Sequence, residues 1–367
     1  MSKLTGRAIP YGLGALVVAI VLAAGVSARA DVSTEESGSI VVWPKVLNSD
    51  GRDTIIQLAN TSNTLAHVHC YYTNAQLVNP NLPPSSLNPP LWQEVDFFLW
   101  LTRQQPTHWV VSEGRQVNPF DNFNGNLEGA GLDPGFVPSV PVNFEGELLC
   151  VEVDSSGNPI SGNRLKGEAT LKSETGDVSK YSAIAIIGHE GVGATGRELQ
   201  LNNDQYNSCP NALLLNHFAE GVDDPVIQEF GACASEGDCP ITTELTLIPC
   251  QRDYENQVPG SATVFFEIFN EFENRFSTVT AFTCWLNLTL GDIGSGPFGP
   301  NVLGTLTGYT RIEPTGTTGG LLGVAEEFHE DGADDVAAAA FNLVIEGSRF
   351  DPGAGREIID RIVLVGE

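Results

Sequence analysis

The stretch TIIQLANTSNTLAHVHCYY, residues 54–72, contains two short runs of β-branched and aromatic residues separated by the turn-forming cluster NTSNT. A second stretch, TVFFEIFNEFENRFSTVTAFTCWL at residues 263–286, has the same design with a longer connection. Short runs of this composition, bounded by Asn, Ser and Thr, predict β-strands joined by turns. The two stretches therefore predict a pair of strands that occurs twice in the chain.

Further matches extend this pair into an internal repeat. All of them follow in the same order along the two halves: VVWPK (41–45) with TLIPC (246–250), GELLCVEV (146–153) with GTLTGYTR (304–311), LKGEA (165–169) with LLGVA (321–325), AIAIIG (183–188) with NLVIEG (342–347), and GATGREL (193–199) with GAGREI (353–358). Each match is short, but their common order indicates a duplicated unit, which decides the architecture.

The remaining periodic stretches also predict strands, and no long amphipathic helix stands out. Many short strands with Gly and Pro turns are typical of sandwiches and barrels. We therefore expect an all-β protein with two tandem immunoglobulin-like antiparallel β-sandwich domains. The first unit covers residues 38–217, a linker covers 218–242, and the second unit covers 243–367. The first unit carries a long aromatic and Pro-rich insertion at about residues 74–144.

The first thirty residues have the pattern of a secretory signal peptide. Lys3 and Arg7 give a basic start, an apolar stretch follows at residues 13–26, and Ala28-Arg29-Ala30 fits a cleavage site. An uncleaved membrane anchor is the alternative, although the apolar stretch is short for a spanning helix. We expect an exported protein, periplasmic or extracellular, with no stable membrane insertion after cleavage.

The chain is strongly acidic, with a formal net charge of -28 from 18 Lys plus Arg and 46 Asp plus Glu. The predicted signal contains three basic residues and no acidic one, so the cleaved chain would carry -31. A charge of this size repels nucleic acid and anionic membrane surfaces, and neither is an expected partner.

Seven cysteines in an exported chain predict disulfides with one thiol left over. Cys70 and Cys284 occupy matching positions in the repeat, whereas Cys150 and Cys250 each occur in one unit only. We expect the bridges Cys70–Cys150 and Cys250–Cys284, with a third bridge among Cys209, Cys233 and Cys239.

The insertion contains three of the five tryptophans, and long inserts at the ends of sandwiches often carry binding. Trp92, Trp100 and Trp109, together with Phe98, form the predicted binding surface. Such rings can stack on sugar faces or fill a pocket of a partner protein. The alternative is that these rings close the core of the first unit or pack it against the second.

Two histidines form a candidate metal site. His67 and His69 lie two residues apart on a predicted strand and so share one face, with Cys70 on the other. Imidazole pairs suit Cu or Zn. The second unit has Ala281 and Thr283 at the matching positions, so the pair is not part of the shared scaffold. A solvated strand face is the alternative.

An acidic segment at residues 326–335 is a candidate calcium site, because Ca²⁺ prefers carboxylate and carbonyl oxygens. Its candidate ligands are Glu326, Glu327, Glu330 and Asp331. The segment does not fit the twelve-residue helix-loop-helix pattern, and a solvated acidic turn is the alternative. No cofactor other than this possible Ca²⁺ is expected.

No catalytic constellation stands out: G-x-S-x-G, H-E-x-x-H and S-x-x-K are all missing from the sequence. We expect a non-catalytic envelope or extracellular protein that binds, or is built together with, an envelope protein or polysaccharide. One alternative is a carbohydrate-active hydrolase that uses two insertion or loop carboxylates. The other is a periplasmic metal-binding protein that uses His67 and His69.

DTIIQLANTSNTLAHVHCYYTNA (residues 53–75), together with LTRQQPTHW (101–109), resembles segments of large uncharacterised exported bacterial proteins. The resemblance extends over the first unit and more faintly over the second. It implies an exported protein with tandem sandwich-like repeats, and it implies no activity and no site residues.

Overall fold

The computed structural model describes most of the chain after the predicted signal. These residues are 32–79, 82, 87–115, 134–174, 176–189, 196–229, 233, 235, 237–294, 296–316, 319–330 and 336–366. They belong to one compact unit, Asp31–Glu367, whereas the predicted signal at residues 1–30 lies outside the described residues. Nowhere in the described ranges is a helix long and apolar enough to cross a membrane. The described residues form several mainly antiparallel sheets, which confirms the all-β prediction.

The first group of strands surrounds one core. Its strands are β1 (Ile40–Ser49), β2 (Arg52–Asn60), β3 (Ala66–Asn74), β4 (Gln93–Leu101), β5 (Pro106–Val110), β6 (Phe144–Val153), β7 (Leu165–Ser173), β8 (Val178–Ser182) and β9 (Ile184–Ile186). β1 pairs with β2 only beside their connecting turn, and then continues with β6 and β9 while β2 continues with β5 and β7. Both sets of strands contribute to the same buried cluster. β4 and β5 come from the insertion and add a strand to β3 and to β2.

The second group of strands surrounds another core. Its strands are β11 (Ala212–Phe218), β12 (Val222–Asp223), β13 (Pro240–Pro249), β15 (Ser261–Asn270), β16 (Arg275–Thr283), β17 (Leu286–Thr289), β18 (Thr307–Pro314), β19 (Leu321–Glu330), β20 (Val336–Asn342) and β21 (Val344–Glu346). They form one sheet in the order β16-β15-β18-β11-β21 and another in the order β12-β13-β19-β20, with β17 also paired to β13. Phe266 and Phe298 are among the buried rings between them.

Short helical turns complete the described structure. They are α1 (Pro225–Glu229), α2 (Pro300–Leu303), and the 3-10 turns Leu290–Asp292 and Pro352–Ala354. α1 lies in the predicted linker.

A third core joins the two groups. It lies on the outer face of β1, β3 and β6 and includes residues of a small sheet formed by β10 (Glu198–Leu201), β24 (Asp360–Val363) and β14 (Arg252–Asp253). A short hairpin, β22 (Phe350–Asp351) and β23 (Arg356–Glu357), precedes β24. β10 and β11 fall within the predicted first unit but pair with β24, β18 and β21. Strand pairing thus crosses the predicted boundary, and the division into two immunoglobulin-like domains stays a prediction.

The disulfides agree in part with the sequence. Cys70 and Cys150 lie directly opposite each other on β3 and β6 and are bridged, as predicted. Cys233–Cys239 closes a short loop within the predicted linker. The predicted Cys250–Cys284 bridge is wrong, because Cys250 bonds to Cys209 and Cys284 is a buried free thiol.

The backbone around Gly320 explains the Cys209–Cys250 pairing. The Cys250 N–H donates to the Gly320 carbonyl at 2.7 Å. A Cβ added to Gly320 would lie 2.5 Å from Cys209 Cβ, so only glycine allows this approach. Three bridges among the described residues are typical of an oxidising, extracytoplasmic environment.

Candidate functional site

Two predicted sites meet on one sheet face. β3 alternates, so that Cys70 and its inward-facing neighbours enter the first core while His67 and His69 point to the other face. β4 lies antiparallel beside it and sets Trp100 opposite His67 and Phe98 opposite His69. The candidate binding aromatics and the candidate metal histidines are therefore neighbours.

These side chains belong to a continuous ring stack of seven residues: Trp92, Tyr254, Tyr71, His69, Phe98, His67 and Trp100. Neighbouring ring centroids are separated by 3.7 Å (His67–Trp100), 5.2 Å (His67–Phe98), 3.9 Å (His69–Phe98), 4.3 Å (His69–Tyr71), 4.3 Å (Tyr71–Tyr254) and 5.8 Å (Trp92–Tyr254). Their interplanar angles run from 9° to 35°, so five of the six neighbouring pairs are stacked and the His69–Tyr71 pair is tilted.

The stack has a buried middle between two partly exposed ends: Trp92, which packs against the third core, and the open end at Trp100. Tyr71 and Tyr254 are fully buried in the third core, and His69 is 3% exposed. His67, Phe98 and Trp100 remain partly exposed. The second half of the chain contributes Tyr254, so contact between the two halves holds the base of the stack in place.

Hydrogen bonds fix the orientation of His69. Its Nε2 lies 2.8 Å from Asp96 Oδ2, and its Nδ1 lies 2.9 Å from the Tyr71 hydroxyl. The Asp96 carboxylate can only accept, so the Nε2–H donates to it, and the Tyr71 hydroxyl donates to the unprotonated Nδ1 of that tautomer. Burial raises the pKa of Tyr71. The hydrogen bond from His69 lowers the pKa of Asp96 below its usual value.

This arrangement leaves His69 no free ring nitrogen to bind a metal ion. Both ring nitrogens of His69 are in hydrogen bonds, and His67 Nδ1 lies 2.9 Å from the Asp154 carbonyl oxygen. Over the described ranges, one group of three potential ligands lies close enough to hold a metal, namely Cys209, Cys250 and Asp360. Two of these three are already joined in a disulfide. The metal function of His67 and His69 stays a prediction.

A carboxyl pair lies along the stack on β4. Glu94 and Asp96 are two residues apart and so share the face that carries Phe98. Burial, together with the Asp96 carboxylate, raises the pKa of Glu94 to about 7, against a hydrogen bond from Gln257. One Glu94 oxygen is buried with no hydrogen-bond partner among the described residues. The pair therefore combines a carboxyl with a raised pKa and one with a lowered pKa.

Trp109 does not belong to this surface. It is 2% exposed, lies in the first core, donates from Nε1 to the Tyr72 hydroxyl at 2.5 Å, and meets Phe97 edge to face. β5 pairs with β2 at the opposite side of that core, so the period of two turns this ring inward. The prediction of Trp109 as a surface residue is wrong, and its alternative, a core role, is confirmed.

The first half of the acidic segment at residues 326–335 belongs to a strand and not to a loop. Glu326, Glu327 and Glu330 lie on β19, and Asp331 lies outside the described residues. Glu326 is fully buried and paired with Lys45 and Arg52, and Glu327 bonds His329 at 2.8 Å. Alternating residues of a strand face opposite sides, so these carboxylates are not gathered around one point. Calcium binding at these residues stays a prediction.

Sequence reasoning missed Tyr71, Tyr254, Glu94 and Asp96. Period-two alternation along β4 was the available signal, since Trp92, Glu94, Asp96, Phe98 and Trp100 are spaced by two. Tyr254 had no signal, because it reaches the stack from a distant segment.

Comparison with known proteins adds little. No family model matches the chain, and no curated protein matches it. A chain of the cowpea mosaic virus top component, the naturally occurring empty particles, is similar at 9% identity with a TM-score of 0.16, over 89% of this chain and 96% of that one. A broad bean stain virus chain is similar at 10% identity and a TM-score of 0.16, over 94% and 99%. TM-scores this low establish neither a shared fold nor a shared function.

Proposed function

We propose that this protein is an exported, non-catalytic binding protein of the envelope or extracellular space, and that its ligand is a polysaccharide. The scaffold is a tandem pair of immunoglobulin-like sandwiches, and the ligand binds at the open end of the ring stack. The observation that carries the proposal is a row of near-parallel rings that ends at the partly exposed Trp100.

Trp100 is the terminal ring of the row. One of its faces stacks on His67 at 3.7 Å, and no ring among the described residues covers the other. A sugar ring presents a flat apolar face of C–H groups that suits such a platform. Because His69 and Tyr71 are buried and hydrogen-bonded to each other, the platform is ordered before the ligand arrives, which lowers the entropic cost of binding.

The charge of the protein narrows the ligand class. The chain carries a formal charge of -28, and Asp96 beside the stack is 47% exposed. An anionic polymer would be repelled, so the fitting ligands are neutral polysaccharides.

Depletion from solution by insoluble cellulose, chitin and β-1,3-glucan tests the proposal. We expect retention by at least one of the three polymers and about tenfold weaker retention of Trp100→Ala, because one stacking contact contributes about 1 kcal/mol or more. Phe272→Ala is the matched control, since it removes a ring that is 73% exposed and lies outside the stack. Equal retention of the two variants, or no retention of the parent, contradicts the proposal.

The Glu94 and Asp96 pair supports a second candidate, a carbohydrate-active hydrolase. Glycosidases pair one protonated and one ionised carboxyl, and the opposite pKa shifts of these two residues give that pair beside aromatic rings. Release of reducing ends from the retained polysaccharide, lost in Glu94→Gln, would replace the binding function with this one. Retention without release favours the binding function.

A further inference from the structure

One long sheet edge in this protein is open. β16 ends the order β16-β15-β18-β11-β21, and within the described residues it pairs with β15 alone. It is nine residues long, has no proline, and carries one charged residue, Arg275. A long edge strand with few charges and no proline is a template for another strand, and most proteins cover or charge such an edge.

The other long edge strands of these sheets are protected, and the remaining edge strands have five residues or fewer. β4 carries Glu94 and Asp96, and the Trp100 N–H on its outer side donates to the Pro134 carbonyl at 2.7 Å. β8 and β20 lie beside each other and are bridged by Asn342. β12 and β21 are only two and three residues long. β16 therefore stands out as the long unprotected edge.

The backbone of β16 directs hydrogen-bonding groups outward. The Asn270 N–H donates to the Asn274 carbonyl at 3.1 Å, and the Cys284 N–H donates to the Gly260 carbonyl at 2.8 Å. Both bonds point toward β15, so the backbone N–H and C=O groups of the even-numbered residues of β16 point toward β15. Because the period is two, the N–H and C=O groups of residues 275, 277, 279 and 281 point away from β15.

The sequence of β16 is nearly the same in both directions. FSTVTAF, residues 276–282, is centred on Val279, with Thr278 and Thr280 next to it and Phe276 and Phe282 at the ends. Antiparallel pairing of two copies about a two-fold axis at Val279 sets Thr opposite Thr and Phe opposite Phe. Such cross-strand pairs are favourable, and an isologous interface requires this self-complementarity.

The net charge of the protein also favours a second copy of the chain as the partner of β16. Two copies that each carry a formal charge of -28 repel each other over most of their surfaces. β16 offers a contact without that repulsion, because its single charge, Arg275, is already paired with Glu267 at 2.6 Å. A self-matching neutral edge on an acidic protein fits a second copy of the same chain.

We propose that β16 is a homodimer interface in which a second copy adds its own β16 antiparallel, with the two-fold axis at Val279. The five-stranded sheet then continues through both copies. The interface is separate from the ring stack and does not depend on the proposed function.

Sedimentation over a dilution series tests the proposal. We expect the parent to be a dimer and Val279→Lys to raise the dimer dissociation constant by about tenfold or more, since two ammonium groups would meet at the axis. Val279 is 56% exposed, so the substitution does not disturb the core. Val344→Lys is the matched control, because Val344 is 61% exposed on β21 at the opposite edge of the same sheet, and it should remain a dimer.

A second measurement fixes the register. Val279→Cys should give a crosslinked dimer with a short bis-maleimide, whereas Val344→Cys should not, and Cys284 is too buried to compete. A monomeric parent, a Val279→Lys variant as dimeric as Val344→Lys, or a β16 that pairs only with a strand of a different protein would overturn the proposal.

Discussion

Buried ion pairs join the two halves at the scale of single residues. Lys45 and Arg52 come from the first group of strands, and Glu244 and Glu326 come from the second. Lys45 Nζ lies 2.5 Å from Glu244 Oε2 and 2.8 Å from Glu326 Oε2, and Arg52 lies 2.5 Å from Glu326 Oε1. A buried charge is tolerated only with its partner, so this cluster requires the two halves to meet in one arrangement.

Glu326→Gln should destabilise the protein in a pH-dependent way. Burial alone would raise the pKa of Glu326, but Lys45 and Arg52 outweigh it and lower the pKa to about 2 from a usual 4.5. A lowered pKa contributes stability above pH 4.5 that is lost as the pH falls through 2. We expect a loss of about 3–5 kcal/mol in the free energy of unfolding at pH 7, narrowing as the pH falls from 4.5 toward 2.

Urea unfolding at several pH values measures this difference. Glu330→Gln, on the same strand but without an ion pair among the described residues, should change stability by less than about 0.5 kcal/mol. A pH-independent gap, or equal effects of the two variants, would refute this account of Glu326.

The thiol of Cys284 should be unreactive in the folded protein. It is 2% exposed, and burial first, with the Glu147 carboxylate, raises the pKa of its thiol well above the usual value. We expect no reaction with a thiol reagent in the native state and one reactive thiol per chain after denaturation without reductant. Cys284→Ala should leave none, and three reactive thiols would contradict the three bridges.

At the scale of elements, the matching segments LKGEA and LLGVA each lie in the first strand of an antiparallel pair, β7 with β8 and β19 with β20. In each half a third strand follows the pair, β9 after β8 and β21 after β20. The edge strands β8 and β20 lie side by side. The Asn342 amide accepts from the Ser182 N–H at 2.9 Å and donates to the Ser182 carbonyl at 2.7 Å. One side chain thus satisfies backbone groups on a neighbouring sheet edge, which keeps both edges from pairing elsewhere.

Asn342→Ala should lower the free energy of unfolding by about 1–3 kcal/mol, because both Ser182 backbone groups lose their partner. Chemical denaturation measures the loss, and Asn256→Ala, in an exposed turn, should have almost no effect. An equal stability of both variants would show that the edge contact is not stabilising.

The strands were predictable from the sequence, but much of their pairing was not. Alternation and turn residues gave β2, β3, β6 and β15, because these signals are local. Cys70–Cys150 was also accessible, since the repeat singled out these positions. Cys209–Cys250 was not, because it depends on Gly320 passing close to Cys209 and Cys250, a contact between segments far apart in the chain.

At the scale of the whole molecule, a third core changes what the repeat means. β10, β14 and β24 come from distant parts of the chain and cover the outer face of β3 and β6. The predicted repeat concerns what the two halves share, whereas this layer joins segments of the two halves to each other, so the repeat did not predict it. The candidate site follows the same rule. Phe98 and Trp100 were singled out as a binding surface and His67 as a metal ligand, whereas Tyr254, from a distant segment, was not singled out.

Oxidative footprinting read by mass spectrometry tests the proposed binding site most directly. The parent protein is oxidised with and without the polysaccharide that retains it. Ligand should slow oxidation of Trp100 and Phe98 at the open end of the stack while that of Phe272, outside it, is unchanged. Oxidation of Trp100 and Phe98 at the same rate with and without bound polysaccharide would contradict the account.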